Sequence, residues 1–216
     1  MTMKRWSGIA GILFVALAVA SAGVQNSKPN TLKVGAVQKF ATFYADKSHN
    51  SHALLSAVFG LLGLFFFAWF LGGLWSMLRD AEGTTSAATI VIAVGGAAFL
   101  AFAGMAHLVG NVIGISRHFD KDYTVADPKL ALVFNDLATG AILAAMVGMG
   151  AGLSAAGVII RRTRVLPIWL AWFAFVITLL ALPVIPPLSF LAAFLFAIWT
   201  LVVSVIFLTR GEVAAA

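Results

Sequence analysis

The sequence predicts an all-α integral membrane bundle of six transmembrane helices with both termini cytoplasmic, and three observations predict it. Composition comes first: 62% of the 216 residues are hydrophobic and only 10% charged, against roughly 45–50% and about 25% in soluble domains. A water-soluble fold has no place for that much apolar surface. The second is the partition of the chain into apolar runs, 8–24, 52–78, 86–115, 130–160, 165–182 and 188–208, each free of Lys, Arg and Glu. About 20 apolar residues suffice to cross a hydrocarbon core of roughly 30 Å, so six crossings use most of the chain as one domain, 1–216. The third is the placement of basic residues, which sets orientation.

The first run, 8–24, follows Lys4 and Arg5 and closes in Ala20-Ser21-Ala22. That ending also has the form of a signal-peptidase site, which would leave five spans; the retained reading gives six. The outer loop 25–51 comes next, and within it 33–45 reads as an amphipathic helix lying on the membrane surface. Val37, Phe40, Ala41 and Tyr44 would form its apolar face. Runs 52–78, 86–115 and 130–160 are rich in small residues: Gly60, Gly63, Gly72 and Gly73, then Gly110-x-x-x-Gly114, then Gly148-x-x-x-Gly152. Small residues four apart let backbones approach closely, which is how packing replaces the hydrophobic effect in lipid. The same pattern serves helices of one chain or of a homo-oligomer, and the intramolecular reading is favoured.

Runs 86–115 and 130–160 are longer than a bilayer needs, so their ends are expected at the interface. Between them, 116–129 alternates charges and ends in Asp127-Pro128, a turn and helix start. The loop Pro183-Val184-Ile185-Pro186-Pro187 only reverses the chain. Trp69, Trp75, Trp169, Trp172 and Trp199 fall mostly toward span ends and read as interfacial anchors.

With the amino terminus inside, Lys4, Arg5, Arg79, Arg161, Arg162, Arg164 and Arg210 are cytoplasmic. Lys28, Lys33, Lys39, Lys47, Arg117, Lys121 and Lys129, equal in number, are outside. Position breaks the tie, because the inner set abuts span ends while most outer lysines lie in a long loop that translocates regardless of charge. The net charge of +6 then points to anionic lipid headgroups and not to nucleic acid. Zero cysteines exclude disulfides, thiolate metal sites and thiol nucleophiles.

Chemistry is sought among polar groups that a membrane helix otherwise avoids. His107, Asn111 and His118 fall on one helical stripe if the helix continues past Ile115. Asn135 and Asp136 enter from the fourth span, and His49 and His52 sit one turn apart at the start of the second. All lie toward the outer face under this topology. His52, His107 and Asp136 are the candidate ligands of a divalent metal, with His49, Asn111, His118 and Asn135 around them, because imidazole and carboxylate suit zinc, copper or iron. The bland reading has Asp136 hydrated or paired with Arg117 or Lys129, and His107 satisfied by a neighbouring amide or carbonyl. No phosphate loop, H-E-x-x-H or G-x-S-x-G occurs. The apolar middles of the spans argue against a secondary transporter, and no catalytic residue is assigned.

The runs Phe43-Tyr44-Ala45-Asp46, Phe67-Ala68-Trp69-Phe70-Leu71-Gly72, Leu78-Arg79-Asp80-Ala81-Glu82-Gly83, Val94-Gly95-Gly96, Val165-Leu166-Pro167-Ile168-Trp169-Leu170 and Trp199-Thr200-Leu201-Val202-Val203-Ser204 resemble a family of actinobacterial six-helix membrane proteins of unknown function. The resemblance implies a bacterial plasma-membrane protein and supplies no catalytic residues. The expected function is a non-enzymatic binding or accessory component engaging membrane lipids, a hydrophobic small molecule, a membrane-protein partner or a second copy, with no cofactor. The alternatives are a metal-dependent membrane enzyme or redox protein with an outer-face His/Asp site, and a small-solute transporter.

Overall fold

The computed structural model describes residues 3–25, 35–46, 48–120, 128–182 and 186–213. The described residues form helices only: α1 Met3–Val24, α2 Ala36–Ala45, α3 Ser48–Glu82, α4 Ala87–Phe119, α5 Pro128–Thr163, α6 Ile168–Ala181 and α7 Pro186–Val213. Five of them, α1, α3, α4, α5 and α7, are long and apolar enough to cross a membrane. The 165–182 run holds α6, whose 14 residues make about 21 Å of helix, less than a hydrocarbon core. Residues 26–34 and 47 of the first outer loop, with Lys28, Lys33 and Lys47, lie outside the described residues, as do 121–127 and 183–185.

Helix ends follow local chemistry. Gly83, at φ 71°, closes α3 in the left-handed conformation. Ser86 starts α4 with a capping box, accepting from the Thr89 amide at 3.2 Å while its own amide donates to Thr89 Oγ1 at 2.9 Å. Trp75 Nε1 donates to the Thr89 carbonyl at 3.0 Å and so ties α3 to α4. At the end of α5, Arg164 takes φ 53° and its amide donates to Ile160 O at 2.9 Å. That is the αL termination usually given to glycine.

Glycines set the spacing between helices, and they do so within the chain. A Cβ at Gly95 would stand 2.6 Å from Gly148 O and 2.8 Å from Gly152 N, so α4 and α5 touch backbone to backbone. α1 uses Gly8 and Gly11 against Ser204 of α7, and Ser7 seats over Gly73 of α3. Gly72 is an exception, as are Gly23 and Gly140, since a Cβ at any of them meets nothing within 4 Å.

Where the helices converge, Phe14 of α1, Phe67 of α3, Phe99 of α4 and Phe196 of α7 interlock at centroid distances of 4.8 Å (Phe14 to Phe67), 5.0 Å (Phe67 to Phe99) and 5.7 Å (Phe99 to Phe196). Beside them lies a cavity of about 30 Å³ with a wholly hydrophobic and glycine lining that includes Ile92, Met149 and Trp199; a space of that chemistry stays dry. Trp199 is a correction to the expected interfacial role. It is 1% exposed and donates through Nε1 to Leu170 O at 3.1 Å, pinning α7 to α6.

The phenylalanine cluster also works as a ruler. From it, α1 runs about 15 Å in either direction, and α7 runs about 15 Å toward Pro186. α3, α4 and α5 run about 30 Å toward the end where α2 sits. These three therefore overhang the others by about 15 Å at that end. α6 falls short in the same direction: a Cβ at Gly150 would be 3.8 Å from the Ala181 Cβ, which ends α6 near the level of the cluster.

Candidate functional site

The overhang is where the sequence-predicted polar residues gather. α2 lies across it, packed on α5 and α3, with Phe40 and Tyr44 buried against Ile113 and Ala131. Its buried face is Ala36, Phe40 and Tyr44, whereas Ala41 is exposed. The expected face of Val37, Phe40, Ala41 and Tyr44 is thus rotated, because α2 packs on helices and not on a flat lipid surface. Burial pushes the Tyr44 phenol up to about 12, so it stays protonated at neutral pH and is no base.

The last carbonyls of any helix lack intrahelical donors, and α2 obtains them from other helices. His49 of α3 pairs through Nδ1 with Phe43 O at 2.7 Å and stacks on the Phe43 ring at 4.0 Å. A carbonyl only accepts, which assigns the proton to Nδ1. Arg117, near the end of α4, donates to Tyr44 O. It therefore serves α2, where sequence reasoning had offered it to Asp136. The sole signal for this role was a basic residue in the last turn of α4, which the helix dipole explains equally well.

His107 is half-buried, and its ring fills a notch left by Gly60: a Cβ there would lie 2.4 Å from both Cε1 and Nδ1. Asn111, 3% exposed, donates through Nδ2 to His107 O at 2.9 Å, which leaves Oδ1 without a partner among the described residues. A carbonyl rejects an oxygen, so the amide orientation is fixed. Asn111, His49, Tyr44 and Phe43 line a cavity of about 10 Å³ beneath α2, the size of a single water site. Asn50, 7% exposed, also keeps an unpartnered Oδ1, and sequence reasoning overlooked it because asparagine at a helix start is ordinary.

The remaining candidates lie on the surface. α4 does continue past Ile115, but His118 is exposed and meets the Phe119 ring edge-on. His52 and Asp136 are exposed, and Asn135 is half-buried with its carbonyl accepting from Thr139 Oγ1 at 2.9 Å. Among the described residues no three His, Asp or Glu side chains are grouped to hold a metal ion. The predicted set His52, His107 and Asp136 is accordingly not brought together. One ligand sits in the α3–α4 seam, and the other two are on outer faces of α3 and α5. What the geometry does unite is His49 with Asn111 beneath α2, and Asn111 with the carbonyl of His107.

No protein-family model, curated protein or solved structure matches the chain.

Proposed function

We propose that the chain is a multi-pass bacterial plasma-membrane protein with six crossings and cytoplasmic termini. It acts as a non-enzymatic binding or accessory component that engages lipid, a hydrophobic small molecule or a membrane partner. The observation that carries this reading is how the polar groups are used. His49 and Arg117 close the end of α2, Asn111 holds the His107 carbonyl, and aromatic rings fill the bundle centre. His49 and Arg117 are thus engaged in holding α2, and Asn111 bonds within its own helix, while the flanks present Phe65, Val94, Leu179, Phe190 and Phe194 outward.

Parity supports the sixth crossing. Gly8 packs beside Leu208, so the first and last helices bring their chain ends to one end of the bundle, which takes an even number of passes. Five come from the long helices, and the 165–182 run, which holds α6, is our candidate for the other. Placing that end in the cytoplasm follows the short basic segments at Arg79 and at 161–164.

The test is purification from bacterial membranes in mild detergent, followed by native mass spectrometry and elemental analysis of wild type beside His107→Ala. A stoichiometric lipid, apolar molecule or protein retained by both, with no metal, is the expected result. A stoichiometric metal lost from His107→Ala would replace this reading with the metal-dependent one.

A further inference from the structure

At the end of the bundle opposite α2, the α5–α6 turn carries Arg161, Arg162 and Arg164, all exposed and without an ion-pair partner among the described residues. Arg164 occupies the αL position at φ 53°, where glycine would be free of the penalty that an L side chain meets. A charged residue kept at such a position invites a functional explanation. Directly below the turn, α6 presents one outward stripe: Trp169 is 51% exposed, Trp172 56%, Val176 50% and Leu179 70%. From the turn along α6 the exposed groups follow in the order three guanidinium groups, then two indoles, then aliphatic side chains. That order matches, group for group, the headgroup phosphate, interfacial layer and acyl chain of a phospholipid.

We propose that the α5–α6 turn and the outward face of α6 form a binding site for an anionic phospholipid, its phosphate held by Arg161, Arg162 and Arg164 and an acyl chain lying along Trp172, Val176 and Leu179. Charge complementarity selects the anionic headgroup. Guanidinium planes suit bidentate contact with phosphate oxygens. The apolar stripe selects a lipid over free phosphate, which has no use for it. This inference rests on the reading of the chain as a lipid-engaging membrane protein and names the lipid class and its seat.

The experiment is native mass spectrometry of the full chain from nanodiscs containing equal parts phosphatidylglycerol and phosphatidylcholine, wild type beside a combined Arg161→Gln, Arg162→Gln, Arg164→Gln variant. Helicity and elution volume are checked for both. Wild type should retain phosphatidylglycerol preferentially, and the variant should bind it about a hundredfold more weakly, at roughly a fivefold loss per arginine. The triple lysine variant should fall between, and Arg79→Gln should match wild type. Equal retention by wild type and the glutamine variant would overturn the site while leaving the lipid-engaging reading intact. Loss of every lipid and apolar ligand from wild type itself would overturn both. Displacement of the bound species by inorganic phosphate would identify a phosphate site and overturn the lipid assignment.

Discussion

Gly60 offers the most direct perturbation of the His107 seat. In Gly60→Ala the new methyl would stand 2.4 Å from Cε1 and Nδ1 of His107 and 2.7 Å from Cγ, where carbon contacts ordinarily need about 3.5–4.0 Å. Because Cγ itself is struck, turning the ring about its own bond does not clear the overlap. The imidazole must leave through χ1, or the helices must part. Overpacking of this kind costs about 1–3 kcal/mol, set against a gain of at most about 1 kcal/mol from replacing a helical glycine. Gly72→Ala is the control, since a Cβ there meets nothing within 4 Å, and it should be neutral or slightly stabilising. In a His107→Ala background the space is vacated, so Gly60→Ala should lose most of its cost, giving a coupling of about 1 kcal/mol or more. Reversible unfolding in mixed micelles, followed by tryptophan emission, measures all four corners of the cycle. A coupling under about 0.5 kcal/mol would refute the seating of His107 on Gly60 and with it the geometry given to Asn111.

Arg117→Met removes the charged donor to Tyr44 O and should weaken α2 docking by about 1.5–3 kcal/mol. Faster amide exchange across Ala36–Ala45 would register it, and unchanged exchange would count against the cap. The Tyr44 phenol sets a second limit on α2: its folded value is about 12 against an ordinary value of 10.0. A raised acid of this kind contributes fully below pH 10 and loses that contribution as pH climbs through about 12, by at most roughly 3 kcal/mol. Phenolate absorbance should therefore rise together with loosening of α2, and Tyr44→Phe should remove the transition. Arg164→Gly relieves an αL side chain at φ 53° and should stabilise the bundle by about 1 kcal/mol; a loss of stability would mean that the turn depends on the guanidinium.

The helices were legible because long apolar runs mark them, and the five long ones cover their expected spans apart from Ser86, which caps α4. Their ends were less so. The 86–115 run continues to Phe119 because Arg117 and His118, though polar, are favourable in a last turn. Trp199 was misjudged because it was grouped with tryptophans near span ends, although it sits in the middle of the 188–208 run: its indole found a carbonyl at 3.1 Å inside the protein. Of the polar residues singled out at the α2 end, His52, His118 and Asp136 lie on the surface apart from His49 and Asn111, because helical spacing says which residues share a face of one helix and nothing of what stands opposite. Only the pairing of α3 with α4 reveals that Gly60 makes room for His107, and nothing in the sequence relates Arg117 to Tyr44.

The unequal reach of the helices sets what each end of the bundle would meet. With a bilayer centred on the phenylalanine cluster, Asn111 and Asp136 stand about 18 Å from its midplane, beyond a hydrocarbon half-thickness of roughly 15 Å and level with the headgroups. Arg161 and Arg162, counted along α5 from Gly148, stand about 20 Å away on the other side. Both ends would then lie at headgroup depth, so a change of headgroup would act on the two together and a change of acyl chain on the flanks between them.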